Sequence, residues 1–314
     1  MRTFLVTGGA GFIGSHIAET LLARGDRVRI LDNLSTGRLS NLDGFRDRVE
    51  LFQGDLVDAK IVAAAVAGVD CIFHEAALAS VPLSVERPLD VHTACVTGTV
   101  MLLDAARRAG VRRVVYAASS AAYGNQPTSS KRESDPTAPI SPYAAAKLAA
   151  ELYCQAFTAT YGLETVALRY FNVYGPRQDP NSPYSAVIPL FITAMLAGRQ
   201  PVVYGDGRQS RDFSFVGNIV QANLLAADAP NVAGRVLNVA NGKSVDLLTL
   251  IAALNDLLKT HLAAKHEQPR IGDVRESMAD ITLTRQLLGY EPKIDFEQGL
   301  RDSIGYYRSL AGPC

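Results

Sequence analysis

The sequence predicts an α/β fold: a parallel sheet wound on both faces by helices, joined to a smaller and irregular α/β lobe. Three observations carry this prediction. Strand-like and helix-like patterns alternate as far as about Asn172, which argues for a parallel sheet. A glycine turn, Gly8 to Gly14, stands between the first strand and the first helix. Polar residues then gather just past the strand ends, where ligands sit in such sheets.

The first element, Thr3–Thr7, reads as a short buried strand, and Gly8-Gly9-Ala10-Gly11-Phe12-Ile13-Gly14 follows it at once. A helical pattern runs from Phe12 to about Ala23 and ends near Gly25. Strand, glycine turn and helix in that order put a pyrophosphate on a helix N-terminus. Gly8 allows the tight turn, Gly11 a close backbone approach and Gly14 close packing of helix on strand. The second strand, Arg27–Leu31, delivers Asp32, about twenty residues past the turn, where a carboxylate meets an adenosine ribose. An acid there accepts from a 2′-hydroxyl and repels a 2′-phosphate, so NAD is favoured over NADP. The first unit is therefore read as a doubly wound Rossmann sheet.

Further strands are expected at Val49–Gln53, Asp70–His74, Arg112–Ser119 and Thr165–Phe171, with helices at about 58–67, 88–109 and 143–161 between them. Asp55 follows the third strand, His74-Glu75-Ala76-Ala77 the fourth and Ser119-Ser120 the fifth. After Asn172 the rhythm breaks. The run Gly175-Pro176-Arg177-Gln178-Asp179-Pro180-Asn181-Ser182-Pro183 is a loop by composition. Helices at about 187–197, 216–228, 246–260 and 297–310 follow in irregular order. The segment Asp212–Asn241 is expected to return to the first unit. The division is then 1–172 with 212–241 for the dinucleotide-binding domain, and 173–211 with 242–314 for the substrate-binding lobe.

Composition narrows the function classes. A chain of 314 residues with 48% hydrophobic and 20% charged residues is ordinary for a soluble protein. Lys plus Arg equals Asp plus Glu at 31 each, so no global charge argues for nucleic acid or an anionic membrane. Cys71, Cys95, Cys154 and Cys314 are scattered without a CxxC pair, which fits a reducing cytoplasm and buried packing, not a metal site. The N-terminal apolar stretch is too short for a signal peptide. The longest apolar run, Val187 to Gly198, contains Pro189 and reads as a packed helix; no membrane span is expected.

Catalysis is suggested by three elements. Ser119 and Ser120 end the fifth strand, with hydroxyls expected to face the cleft. Tyr143 and Lys147 stand four residues apart at the start of a helix, behind Pro142, and so share one face. A free phenol has a pKa near 10 and is a poor base at neutral pH. A neighbouring ammonium and a positive nicotinamide ring would stabilise the phenolate, making Tyr143 a usable base. Ser119 is expected to pass a proton or hold the substrate oxygen. A YxxxK spacing arises often by chance; its weight comes from lying downstream of the glycine turn and the serine-ended strand.

At this point the chain resembles the extended short-chain dehydrogenase/reductase family over essentially its whole length. The resemblance rests on Thr7-Gly8-Gly9-Ala10-Gly11-Phe12-Ile13-Gly14, Asp55, His74-Glu75-Ala76-Ala77, Ser119 and Tyr143-Ala144-Ala145-Ala146-Lys147. It extends to Arg169-Tyr170-Phe171-Asn172-Val173-Tyr174-Gly175-Pro176, Tyr204-Gly205-Asp206-Gly207 and Arg211-Asp212-Phe213. Within the family it is most similar to the nucleotide-sugar 4-epimerases acting on UDP-hexoses. Asp32-Asn33-Leu34-Ser35-Thr36-Gly37 resembles their adenosine-binding loop and Arg270-Ile271-Gly272-Asp273 their late UDP-binding segment.

The resemblance implies NAD as cofactor, held by Gly8, Gly11, Phe12, Ile13, Gly14, Asp32, Asn33, Ser35, Thr36, Gly37, Asp55, Leu56, Ala76 and Ala77 as well as Tyr143 and Lys147. It implies Asn172, Arg211 and Arg270 on the diphosphate, Asp273 on the uridine ribose, and Ser80, Ser119, Ser120, Tyr143, Ala186, Val187 and Tyr204 among the substrate contacts. Arginines suit a diphosphate through forked hydrogen bonds. Related 4,6-dehydratases carry an Asp-Glu pair where this chain has Ser120 and Ala121, and UDP-glucuronate decarboxylases usually place a glutamate there. Glucuronate 4-epimerases usually read Phe-Thr-Val-Tyr-Gly where this chain has Phe171-Asn172-Val173-Tyr174-Gly175. Neutral UDP-hexoses are therefore expected. Ser277 stands where a bulky residue tends to exclude a 2-N-acetyl group, so UDP-N-acetylhexosamines are expected to fit as well.

Two positions depart from the pattern: Ala121, where many relatives have Ser or Thr, and Cys95, where many have Asn. The expected reaction is a hydride loan at C4, with hydride given to NAD and returned to the opposite face of a 4-keto sugar. A UDP-glucuronate 4-epimerase, a 4-keto-sugar reductase and a non-catalytic dinucleotide-binding protein stay open as alternatives. The resemblance also implies a homodimer, through the helices near 88–109 and 143–161.

Overall fold

The computed structural model describes residues 1–126, 128, 130–180, 186–269 and 275–310. Its largest sheet has seven strands: β1 (Thr3–Thr7), β2 (Arg27–Asp32), β3 (Val49–Gln53), β4 (Cys71–His74), β5 (Arg113–Ser119), β6 (Glu164–Tyr170) and β7 (Arg235–Val239). They lie in the order β7-β6-β5-β4-β1-β2-β3, and every neighbouring pair is parallel. The chain winds outward in both directions from β1. The crevice between the ends of β1 and β4 is the switch point at which such sheets bind ligands.

The inner strands β1, β4, β5 and β6 are buried on both sides, as a sheet covered twice requires. In β1, Phe4 and Val6 enter one core with Ile30, Phe73, Val115 and Leu168. Leu5 points the other way and joins Leu31, Ile72, Val114 and Tyr116. The covering helices are α1 (Phe12–Ala23), α2 (Ala59–Val66), α3 (Val81–Glu86), α4 (Pro88–His92), α5 (Gly98–Arg108) and α6 (Pro142–Tyr161). Later come α7 (Val187–Leu196), α8 (Val216–Asp228), α9 (Leu247–Leu258), α10 (Thr282–Leu288) and α11 (Phe296–Leu310). Helices α1 and α8 pack together on the first face, and α2, α5 and α6 on the second.

Two features go beyond the sequence pattern. Strand β7 closes one edge of the sheet beside β6, so α8 and β7 add one more helix–strand unit within 212–241. The helix expected at 88–109 is α4 and α5 joined by a π turn at Thr93–Thr97. Within this widened turn Thr99 Oγ1 donates to the Cys95 carbonyl at 2.6 Å, and π turns often sit beside functional sites.

A third cluster, with Tyr174, Phe191, Ile192, Phe213, Leu250, Leu254, Leu300 and Tyr307, lies among α7, α9 and α11. Beside it a four-stranded sheet runs in the order Val245–Asp246, Ser210–Arg211, Glu276–Ala279 and Ser130–Lys131. Helix α10 packs on β7 and α8.

Candidate active site

The turn after β1 is a cradle made by the absence of side chains. Gly8 has φ +66°, and a Cβ there would lie 2.8 Å from the Ala76 backbone past the end of β4. A Cβ on Gly14 would stand 2.3 Å from the Gly8 carbonyl oxygen, so α1 reaches this loop only with glycine at that position. The Gly11 amide donates to Gly8 O at 3.0 Å. Gly11 is the N-cap of α1 and supplies no side-chain acceptor. The first-turn amides, those of Phe12 and Ile13 among them, are therefore the positive end of a helix without a side-chain cap. This cradle fits a dinucleotide pyrophosphate.

Asp32 ends β2 and is buried. Its Oδ2 accepts from the Ala10 amide at 2.9 Å and its Oδ1 from the Leu34 amide at 2.8 Å. A Cβ on Gly37 would lie 2.8 Å from Oδ1, so glycine there lets the loop fold over the carboxylate. Each oxygen keeps a lone pair for a further hydroxyl donor. Ser35 and Thr36 are exposed on this loop. The Asn33 amide donates to Asp55 Oδ2 at 2.7 Å, and Asp55 Oδ1 accepts from the Val57 amide at 3.1 Å. The loops after β2 and β3 are thus joined, with Leu56 pressed against Gly98 of α5.

At the other side of the crevice, β5 ends in Ser119, whose Oγ accepts from the Ala121 amide at 3.2 Å. Ser120 opens the short turn that follows. Helix α6 starts where Pro142 follows the N-cap Ser141, whose Oγ accepts from the Ala144 amide at 3.2 Å. Tyr143 is half-buried in its first turn, and it packs with Ala77, Leu78 and Ala149 on a cluster of Val91, Cys95, Val96 and Ala146. Lys147, one turn on, is buried with its ammonium 4.4 Å from the centre of the Tyr116 ring.

The electrostatics of this corner are set by burial. Burial, with the nearby Cys95, pushes the Tyr143 phenol up to about 12, and a hydrogen bond from Ser119 offsets only part of this. In the chain by itself the phenol is a weaker acid than free tyrosine, because burial penalises the phenolate more than the Ser119 hydrogen bond favours it. Burial also draws the Lys147 ammonium down, opposed by Cys95, Glu75, Cys154 and Glu151.

Sequence reasoning quoted His74 and Glu75 without giving either a task. His74 is fully buried; its Nδ1 lies 2.7 Å from Thr7 Oγ1 and its Nε2 2.8 Å from Thr99 Oγ1. Thr99 donates to Cys95 O, and Thr7 Oγ1 accepts from the Ala76 amide at 3.3 Å. Only one assignment satisfies every group: Nε2 carries the proton, and Thr7 donates to Nδ1. Burial pushes this imidazole down to about 3, so it stays neutral and ties the ends of β1 and β4 to the π turn. Burial pushes the Glu75 carboxyl up to about 7, against the Tyr170 hydroxyl at 2.9 Å and the charge of Lys147.

The remaining candidates lie on other elements. Ser80 is the N-cap of α3, and its Oγ accepts from the Leu83 amide at 3.1 Å. Asn172 takes the left-handed conformation at φ +33°, a strained choice for a non-glycine residue beside a site. Ala186 caps α7 and Val187 begins it. Tyr204 ends the strand Val202–Tyr204, which pairs with Lys265–Glu267. Arg211 and Ser277 are brought together as register partners on parallel strands. Arg270 and Asp273 lie outside the described residues. Asp212, quoted only within a run of residues, is fully buried and accepts from the amides of Asn241, Gly242 and Ala279 at 2.9, 2.9 and 3.2 Å. It fastens the four-stranded sheet to the loop after β7. Burial pushes its carboxyl up to about 6, opposed by those amides.

Residues 4–240 match the profile of the NAD dependent epimerase/dehydratase family. Over 313 residues the chain is 39% identical to the UDP-glucose 4-epimerase of Mycolicibacterium smegmatis, spanning 98% of this chain and 99% of the relative. The solved UDP-N-acetylglucosamine 4-epimerase of Methanobrevibacter ruminantium, in complex with UDP-N-acetylmuramic acid, superposes with a TM-score of 0.94 at 42% identity, covering 98% of this chain and 99% of that one. The UDP-glucose 4-epimerase of Thermus thermophilus in complex with NAD superposes with a TM-score of 0.89 at 36% identity and covers the same shares, 98% and 99%.

Proposed function

The chain belongs to the NAD dependent epimerase/dehydratase family, and from that premise we propose that it is a 4-epimerase of UDP-sugars. It interconverts UDP-glucose with UDP-galactose, and UDP-N-acetylglucosamine with UDP-N-acetylgalactosamine, through a transient 4-keto sugar. The observation that carries this is the hydrogen bond between Ser119 and Tyr143, with Lys147 buried one helical turn on, in a fold that also builds the glycine cradle. A dehydratase needs an acid to expel water, and the two positions that would supply it hold Ser120 and Ala121.

NAD fits the cradle. The amides after Gly11 receive its pyrophosphate, Asp32 under Gly37 its adenosine ribose, and Asn33, Ser35, Thr36, Asp55, Leu56, Ala76 and Ala77 line its course. NAD, when bound, would supply the hydride acceptor for C4, its later donor, and positive charge that favours the Tyr143 phenolate. The protein does the rest. Tyr143 Oη takes the C4 hydroxyl proton and later gives it back, which requires the phenol to fall from about 12 once positive charge stands beside it. Ser119 holds the C4 oxygen. Lys147, fixed by burial against Tyr116, stands one helical turn from Tyr143 at the base of the pair.

The lobe 173–211 with 242–314 is assigned the UDP end: Arg211 and Arg270, with Asn172 at the end of the first domain, on the diphosphate and Asp273 on the uridine ribose. Ser80, Ser120, Ala186, Val187 and Tyr204 complete the sugar-nucleotide contacts, and Ser277 beside Arg211 leaves room for the 2-N-acetyl group. A homodimer accompanies this reading. Val85 at 67%, Leu89 at 79% and Leu152 at 55% exposure lie on α3, α4 and α6, which pack side by side and offer a second copy an apolar face. The described cysteines are buried and free, which supports a cytoplasmic location; no described helix is long and apolar enough to cross a membrane.

The test is proton NMR of the purified protein with UDP-glucose and UDP-N-acetylglucosamine, without added NAD. Appearance of both 4-epimers is the expected result. Absence of either conversion, with NAD then supplied as well, contradicts the reading.

A further inference from the structure

The loop that covers Asp32 is fastened on its far side to a segment remote in sequence. Arg38 Nη2 meets Asp179 Oδ2 at 2.5 Å, across 141 residues. Arg38 belongs to the adenosine-side loop, and its amide is held by Ala10 O at 2.9 Å, the carbonyl that also accepts from Asn41 Nδ2 at 2.9 Å. Asp179 belongs to the strap 175–180, which leaves Val173–Tyr174 just beyond Asn172.

This strap is anchored at both its faces. Pro176 O lies 3.0 Å from His16 Nε2 on α1. Arg177, in the left-handed conformation at φ +67°, donates to Glu19 Oε2 at 2.6 Å and reaches Ser15 Oγ at 3.4 Å. From the other side, Tyr307 of α11 donates to Gln178 O at 2.6 Å. The strap is therefore tied to α1 and α11, and it presents Asp179 to the loop after β2, whose other anchors are Asn33 on Asp55, the Leu34 amide on Asp32 and the Arg38 amide on Ala10 O. Asn33, Ser35, Thr36 and Arg38 are themselves exposed.

We propose that the Arg38–Asp179 pair is a clasp that retains the cofactor, with both residues acting as positioning residues outside the reacting atoms. The proposal rests on the reading of the glycine turn and Asp32 as the dinucleotide cradle. For the adenosine half to leave, the loop 33–38 must swing away from Asp32, and that motion breaks the clasp. A hydride loan needs this restraint: the cofactor that accepts hydrogen from C4 must be the one that returns it.

The test measures release. The holoenzyme is loaded with NADH and chased with excess NAD, and the loss of NADH fluorescence is followed in wild type, Arg38→Ala, Asp179→Asn and the double variant. A partly exposed ion pair of this kind sets the expected effect at roughly two- to fivefold faster release in each single variant. The double variant should be no faster than the singles, since both break one interaction. Wild-type release should quicken with salt while that of the variants changes little. Release unchanged in both single variants, or effects that simply multiply in the double, overturns the clasp. Epimerisation is assayed separately. Sugar conversion with release insensitive to both variants leaves the epimerase reading standing and the clasp refuted; clasp-dependent release without conversion does the reverse.

Discussion

The two sides of the crevice are built on opposite principles. The cradle after β1 works through what is missing: Gly8, Gly14 and Gly37 let backbone and carboxylate approach to distances at which any Cβ would collide. The corner at β5 and α6 works through buried titratable groups, with the Tyr143 phenol, Lys147 ammonium, Glu75 carboxyl and His74 imidazole all displaced from their ordinary ionisation by burial. The first side is a question of shape and should fail with any added atom. The second is a question of charge and should fail with changes that leave shape intact.

The largest effect expected from this contrast is at the charged corner. Replacing Tyr143 by Phe keeps the ring and its packing on Ala146 and Val96 but removes the base. Turnover should fall by about 10²–10⁴-fold with thermal midpoint and cofactor content unchanged, as read by kinetics, calorimetry and cofactor extraction. A normal rate would refute the role of the phenol. On the shape side, Gly14→Ala adds one methyl group 2.3 Å from Gly8 O. It should cost about 1–3 kcal/mol of stability and empty the cradle of cofactor; a variant that keeps both would show that the loop can yield.

Smaller effects sharpen the comparison. His16 and His74 are pushed down to about 4 and about 3, chiefly by burial. Their folded values lie below the unfolded one, so the unfolded chain takes the proton first. The stability they contribute is full above about pH 6.5 and falls as pH drops toward the folded values, by about 1.4 kcal/mol per pH unit for each histidine. His16→Gln should remove one of the two contributions, so urea unfolding at pH 7 and pH 5 should differ less in the variant than in wild type. Equal differences would contradict the assignment. Last, Ser277→Tyr should lower kcat/KM for UDP-N-acetylglucosamine roughly tenfold or more while UDP-glucose is less affected; parallel losses would remove Ser277 from the pocket.

What was legible in the sequence follows the same division. Strands β1, β4, β5 and β6 are legible because both faces are buried and their residues are largely apolar, and the edge-side strands β2 and β3 from apolar residues alternating with Arg29 and Glu50; the ends of all six fall within about a residue of expectation. The glycine turn was legible because its spacing is itself the geometry. Strand β7 is not legible from local pattern, since Arg235–Val239 follows the point where the strand–helix alternation breaks. The π turn at Thr93–Thr97 holds two buried residues, Cys95 and Val96, and no glycine or proline, so nothing in its composition marks it off from the helices on either side. At the corner, Ser119, Tyr143 and Lys147 were found from residue type and order, but the direction of the Tyr143 shift was not, because it depends on how fully the fold encloses the phenol. The Thr7–His74–Thr99 chain and the Arg38–Asp179 clasp join residues 67, 25 and 141 positions apart. No local pattern encodes such pairs; they exist only once the strands are in register.

The central claim is that one bound cofactor takes hydrogen from C4 and returns it to the same sugar. The most direct test is to convert UDP-glucose deuterated at C4, mixed with unlabelled UDP-N-acetylglucosamine, and to locate the deuterium in both 4-epimers by NMR and mass spectrometry. The account predicts that deuterium stays at C4 of the labelled hexose and does not appear in the N-acetylated product. Loss of deuterium to water, or its transfer to the other sugar, would contradict it.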